Sequence, residues 1–103
     1  MWRVELHAHT RYSPDSLLEL EEFLEACQRR GLDRVAVTDH NTIEGALRLK
    51  EKAPEWIIIG EEIRTREGEV LAYFIEREIP KGLPLLETIE RIREQGGVVA
   101  LPH

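Results

Sequence analysis

The sequence has a single cysteine, Cys27, so no intrachain disulfide can form. A cysteine nucleophile needs an exposed, electropositive setting. Helical spacing instead puts Cys27 on an apolar face, where a buried small hydrophobe is the better reading. Long apolar runs are also missing: none approaches the roughly 20 residues that span a bilayer. The opening segment, Met1-Trp2-Arg3-Val4-Glu5-Leu6, lacks the apolar core and small-residue cleavage site of a signal peptide. A cytoplasmic location without membrane partners is therefore the default expectation. Positive charge is in deficit. The formal net charge of -6 argues against a non-specific nucleic-acid-binding surface. It leaves room for a phosphorylated substrate, because bound divalent metals would reverse the local potential. Neither a G-x-S-x-G elbow nor a Walker-type phosphate loop is found. Repeats, low-complexity segments and linkers are absent as well.

What is there fits one modest domain. The 103 residues are 42% hydrophobic and 33% charged, a soluble globular balance. Arg3 to His7 reads as a first strand, with Val4 and Leu6 on one face and Glu5 and His7 on the other. Ser16-Leu17-Leu18-Glu19 forms a capping box, and Leu17, Leu20, Phe23, Leu24 and Cys27 then follow helical spacing as far as the stop at Gly31. Arg34 to Thr38 is the second strand. Asn41-Thr42-Ile43-Glu44 offers another capping arrangement and opens a helix to about Lys52, which Pro54 ends.

Trp56-Ile57-Ile58-Ile59 reads as a strand buried on both faces. Glu69 to Ile75 is a further strand, antiparallel or at an edge, with Glu67-Gly68 as the turn before it. Pro84 opens the last helix, whose buried stripe is Leu85, Leu86, Ile89 and Ile92. Gly96-Gly97 stops it before the strand Val98-Val99-Ala100-Leu101. Strands alternating with amphipathic helices imply α/β architecture, built from βαβ units around a mainly parallel sheet. The chain stops on a strand with no helix to cover it, and residues 1–103 are expected to be the N-terminal portion of a longer domain.

All four histidines stand at the C-terminal ends of expected strands: His7 and His9 after the first, His40 after the second and His103 after the last. Glu62 follows the third. Functional groups gather on that edge of parallel sheets and barrels because the loops converge there. His7-Ala8-His9 puts two imidazoles on one side of an extended chain, where they can bind one borderline metal. A pair of surface histidines would have the same spacing. Asp15 is a metal ligand or a carboxylate favouring a helix dipole. His40 could ligate metal while Asp39 orients a ligand histidine, or Asp39 could cap a loop. Of Glu61 and Glu62, we take Glu62 as a carboxylate able to bridge two metals, although spacing alone does not separate them.

Together these segments resemble the PHP (polymerase and histidinol phosphatase) superfamily. The resemblance is carried by Leu6-His7-Ala8-His9-Thr10, Tyr12-Ser13-Pro14-Asp15-Ser16, Gly31-Leu32-Asp33, Ala36-Val37-Thr38-Asp39-His40-Asn41-Thr42, Gly60-Glu61-Glu62-Ile63 and Gly96-Gly97-Val98-Val99-Ala100-Leu101-Pro102-His103. It covers nearly the whole chain, with several motifs in the right order. It implies roughly the first half of a distorted (β/α)7 barrel holding two or three divalent metal ions: zinc, manganese or iron. By that likeness, His7 and His9 hold one metal, Glu62 bridges to a second that His103 helps hold, and Asp15 and His40 hold a third. The implied reaction is phosphoester hydrolysis by a metal-activated water, with Asp39 and Arg11 as candidate catalytic groups; Arg11 could touch a phosphate or be merely solvated. The substrate would be a phosphorylated small molecule, a nucleotide or a nucleic-acid end.

Two departures qualify this expectation. Many relatives have a metal-binding histidine shortly after the bridging glutamate, and Glu69-Val70-Leu71-Ala72-Tyr73 has none. The later motifs of the family, which supply another histidine and an Asp-x-His, would lie beyond His103. An open half-barrel would expose apolar faces, so association with another copy or a longer parent chain is expected. The competing functions are a non-catalytic structural or regulatory module and, further off, a C–N bond hydrolase.

Overall fold

The computed structural model describes residues 3–10 and 17–101; for His7 and residues 17–20 it describes the backbone alone. The elements run in the order β1 (Val4–Ala8), α1 (Leu17–Arg29), β2 (Arg34–Val37), α2 (Glu44–Lys52), β3 (Ile57–Thr65), β4 (Gly68–Tyr73), α3 (Leu85–Glu94) and β5 (Val98–Ala100). The strands form one sheet in the spatial order β1-β2-β3-β4-β5. β1, β2 and β3 pair parallel, whereas β4 is antiparallel to both β3 and β5. The architecture is therefore α/β, compatible with half of a barrel in which one reversed strand has been set among parallel ones. β4 is antiparallel as one sequence reading allowed, but it is interior rather than an edge.

Alternation along the strands creates two unlike faces. Val35, Val37 and Ile57 pack with Cys27, Phe23 and Leu24 of α1 and with Ala46 and Leu49 of α2. Further along, Ile63, Val70 and Ala72 pack with Ile92 and Leu85 of α3 and with Ile43, Ile75 and Ile79 from the loops. On the opposite face Ala36, Leu71 and Tyr73 cluster with Ile58 and Ala100, and no described helical side chain joins them. Val4, Leu6 and Val98 edge that face and are exposed.

The strand after Pro54 is longer than its sequence suggests. β3 runs on through Gly60-Glu61-Glu62 to Thr65, because β4 pairs with it from Gly60↔Tyr73 to Thr65↔Gly68 after β2 has ended. Cross-strand pairing overrides the weak β-propensity of the two glutamates. Gly60 is needed there: a Cβ would lie 2.6 Å from the Ala72 carbonyl oxygen and 2.8 Å from Thr38 Cγ2. The tight turn is Arg66-Glu67 rather than Glu67-Gly68, with Gly68 already paired and at φ 125°.

Smaller differences have equally local causes. β1 begins and ends one residue later than expected. In α3 the buried positions are Thr88 and Ile92, while Leu86 is exposed; the helix turns its Thr88 hydroxyl back onto the Pro84 carbonyl at 3.1 Å and so buries it. Cys27 is buried in the core, and burial pushes its thiol up. Among the described residues, no helix is long and apolar enough to cross a membrane.

Candidate metal centre

Three backbone segments are stitched together at one end of the sheet. The Thr38 N–H donates to the Ala8 carbonyl at 2.7 Å, tying the end of β1 to the segment leaving β2. Asp39, buried, accepts from both the backbone N–H and the hydroxyl of Thr10, one through each carboxylate oxygen. That fixes the turn directly after His9. The Glu62 N–H donates to the Asp39 carbonyl and the Asn41 N–H to the Glu62 carbonyl, each at 2.9 Å, forming a parallel bridge between His40 and Glu62 beyond the end of β2. Asn41, at φ 55°, then turns its side-chain oxygen to accept from the Arg64 N–H at 3.0 Å. The sequence suggested a helix cap for Asn41; its side chain serves β3 instead. At the start of α2 the Glu44 N–H donates to the Thr42 hydroxyl at 3.2 Å.

This stitching brings His9, His40 and Glu62 together. His9 Nε2 lies 3.3 Å from Glu62 Oε1, and His40 Nδ1 lies 3.6 Å from Glu62 Oε2. The imidazoles are stacked, with centroids 4.6 Å apart and planes 16° from parallel. One ligand atom from each residue lies within 4.8 Å of the other two. Glu62 is almost fully enclosed, with 8% of its side chain exposed, whereas His40 opens to solvent at 60%. Two imidazole nitrogens and a carboxylate on a mouth open to solvent make a donor set suited to a borderline divalent cation.

Of the adjacent acids, Glu62 faces the imidazoles and Glu61 faces the helices. Glu61 is fully buried, with one oxygen accepting from the Ile79 N–H at 2.9 Å and the other without a described partner. Desolvation pushes its carboxyl up to about 7, against the lowering effect of that hydrogen bond. Glu62 influences its surroundings in turn. The Tyr73 hydroxyl is pushed up by burial and then by the charge of Glu62. Glu69 is pushed up first by its hydrogen bond with Glu62, then by desolvation and by the charge of Glu62.

The remaining expected residues divide as follows. The His7 backbone lies in β1, but its side chain is outside the description, as are Arg11, Asp15 and His103 entirely. Asp39 grips Thr10, so it secures the segment beside His9 through that neighbour. Sequence reasoning missed Glu69. Its Oε2 lies 3.4 Å from His40 Nδ1, and the hairpin register would have revealed it: Glu62 opposes Leu71, two residues along β4 from Glu69.

Comparison with known proteins gives the family. A family model described as PHP domain matches residues 5–92. An uncharacterized protein of Methanocaldococcus jannaschii is 42% identical over 114 aligned residues, a match taking in 98% of this chain and 67% of the relative. A second uncharacterized protein of that organism is 36% identical over 104 residues, with 98% of this chain and 39% of the relative covered. An error-prone DNA polymerase of Nocardia farcinica is 38% identical over 78 residues, which are 75% of this chain and 6% of the polymerase.

Proposed function

The chain belongs to the PHP-domain family, and from that premise we propose that it furnishes part of the active centre of a divalent-metal-dependent phosphoesterase. The observation carrying this reading is the single buried carboxylate of Glu62 with one oxygen turned to His9 Nε2 and the other to His40 Nδ1. His9, Glu62 and His40 would hold the cation, joined by His7, Asp15 and His103. Zinc, manganese and iron all suit such ligands. When bound, a divalent cation supplies Lewis acidity and positive charge, lowering the pKa of water and neutralising phosphoryl oxygens.

The chain's own residues do the positioning. Glu62, itself enclosed, is held beside His40 by the backbone bridge that pairs them. Asp39, through Thr10, holds the segment on which His9 stands. Arg11, two residues after His9 in sequence, is our candidate for a contact to a phosphate oxygen. The substrate class is a phosphorylated small molecule, a nucleotide or a nucleic-acid end; the matched polymerases favour the last two. Residues 1–103 are read as the N-terminal portion of the domain, in keeping with the sheet face that no described helix covers. A longer chain or a second copy would close that face.

Elemental analysis and hydrolysis of an aryl phosphate, on this chain and on any longer form, test the proposal. The expected result is bound metal that falls in the His7→Ala/His9→Ala double variant, with hydrolysis that falls alongside it. Metal without hydrolysis in either form would favour a non-catalytic module. Unchanged metal content in the double variant would overturn the site.

A further inference from the structure

Glu69 stands on β4 opposite Arg64, two residues before Leu71, which opposes Glu62. Residues diagonal across an antiparallel pair share a face and lie within reach of long side chains. Here the two carboxylates converge on one atom: Glu69 Oε2 lies 3.4 Å and Glu62 Oε2 3.6 Å from His40 Nδ1.

Two carboxylates repel at such range unless a proton or a cation lies between them. Glu62 has no room to retreat, being enclosed. Glu69 does: a third of its side chain is exposed, and its backbone pairing with Arg64 does not depend on where the side chain points. It nevertheless turns inward. Arg64, its cross-strand neighbour, lends it positive charge from one side, while His40 stands on the other.

We infer that Glu69 is an additional cation ligand, which with Glu62 and His40 forms an oxygen-rich subsite for a hard divalent ion such as Mn²⁺. The inference rests on the metal-dependent reading above and extends it to a residue outside the imidazole cluster. One nitrogen and two carboxylates suit Mn²⁺ better than the His9 side of Glu62 does, which is richer in imidazole and suits zinc. The hairpin thus supplies the donor that the missing histidine of the Glu69 to Tyr73 stretch leaves wanting.

Calorimetric titration of Mn²⁺ and of Zn²⁺ into the metal-stripped chain tests the assignment, with melting curves recorded in chelator. Glu69→Gln is expected to weaken Mn²⁺ binding about tenfold or more, while melting at or above the parent temperature without metal, since a repulsion is relieved. Glu51→Gln, an exposed acid on α2, is expected to bind as the parent does. Glu69→His keeps a donor and is expected to shift preference from Mn²⁺ toward Zn²⁺, a change that a structural role would not produce. If Glu69→Gln binds Mn²⁺ like the parent while Glu62→Gln does not, the assignment of Glu69 fails and the metal centre stands. An unchanged Mn²⁺ to Zn²⁺ preference in Glu69→His also defeats it. A parent chain that binds neither ion overturns the metal reading and this inference together.

Discussion

The Tyr73 hydroxyl donates to the Leu6 carbonyl at 2.7 Å, joining β4 to β1 across the sheet face that no described helix covers. In a flat sheet these strands, separated by β2 and β3, would be about 14 Å apart, beyond the reach of one tyrosine. The bond therefore requires the sheet to curl, and the curl buries Ala36, Leu71 and Tyr73 without a covering helix. Tyr73→Phe is expected to cost about 0.5–1.5 kcal/mol, read by chemical denaturation in chelator. An unchanged midpoint would show that the curvature does not depend on this bond.

Glu61 predicts an unusual pH dependence for the metal-free protein. Its carboxyl is raised from 4.5 to about 7 in the folded chain, chiefly by desolvation. The folded state thus binds the proton more tightly than the unfolded state. The resulting stabilisation is complete below pH 4.5 and is lost as pH rises from there to about 7. Glu61→Gln should flatten the melting temperature across that window, measured in chelator, and should be more stable than the parent near pH 8. A parent and variant with parallel profiles would contradict the assigned cause.

Gly60 is expected to tolerate no side chain. Alanine would set its methyl against the Ala72 carbonyl and the Thr38 methyl at 2.6 and 2.8 Å. Overpacking of this kind costs about 1–3 kcal/mol. Denaturant titration of Gly60→Ala checks it, and since Gly60 directly precedes Glu61 and Glu62, metal affinity should fall with stability.

Asp39 should act on metal binding through Thr10. Removing its carboxylate leaves the Thr10 N–H and hydroxyl unpaired and frees the turn after His9. Asp39→Ala is expected to weaken metal affinity about 10–100-fold, by calorimetry. Thr10→Val keeps the backbone bond and should lose less. Equal losses in both would place the effect in the hydroxyl alone.

Much of this molecule was legible in its sequence because its strongest signals are local. Val35 to Val37 and Ile57 to Ile59 mark strands by unbroken apolar runs, and Gly31 marks the end of α1 at φ 71°. The histidines drew attention by their places at strand ends. What escaped depends on pairing between distant segments. The extension of β3 exists because β4 pairs with it, and nothing in Gly60-Glu61-Glu62 announces that. Asn41 looked like a helix cap because its hydrogen bond to the Arg64 N–H spans 23 residues. Glu69 carries no local signal, since only the hairpin register brings its carboxylate to His40. Leu86 illustrates the reverse case: helical spacing placed it in the core, but α3 is rotated so that Thr88 takes the buried side.

Adjacent glutamates on β3 impose a strict test on strand alignment. Glu62 must meet imidazoles while Glu61, one step away, must reach the Ile79 N–H behind the sheet. Because neighbouring side chains leave a strand in opposite directions, a slip of a single residue would exchange them. The carboxylate that faces the imidazoles would then be entombed among aliphatic groups, and the structural acid would be stranded at the mouth. Misaligned hairpins are thereby penalised on both sides of the sheet at once, and the two neighbouring glutamates together proofread the fold.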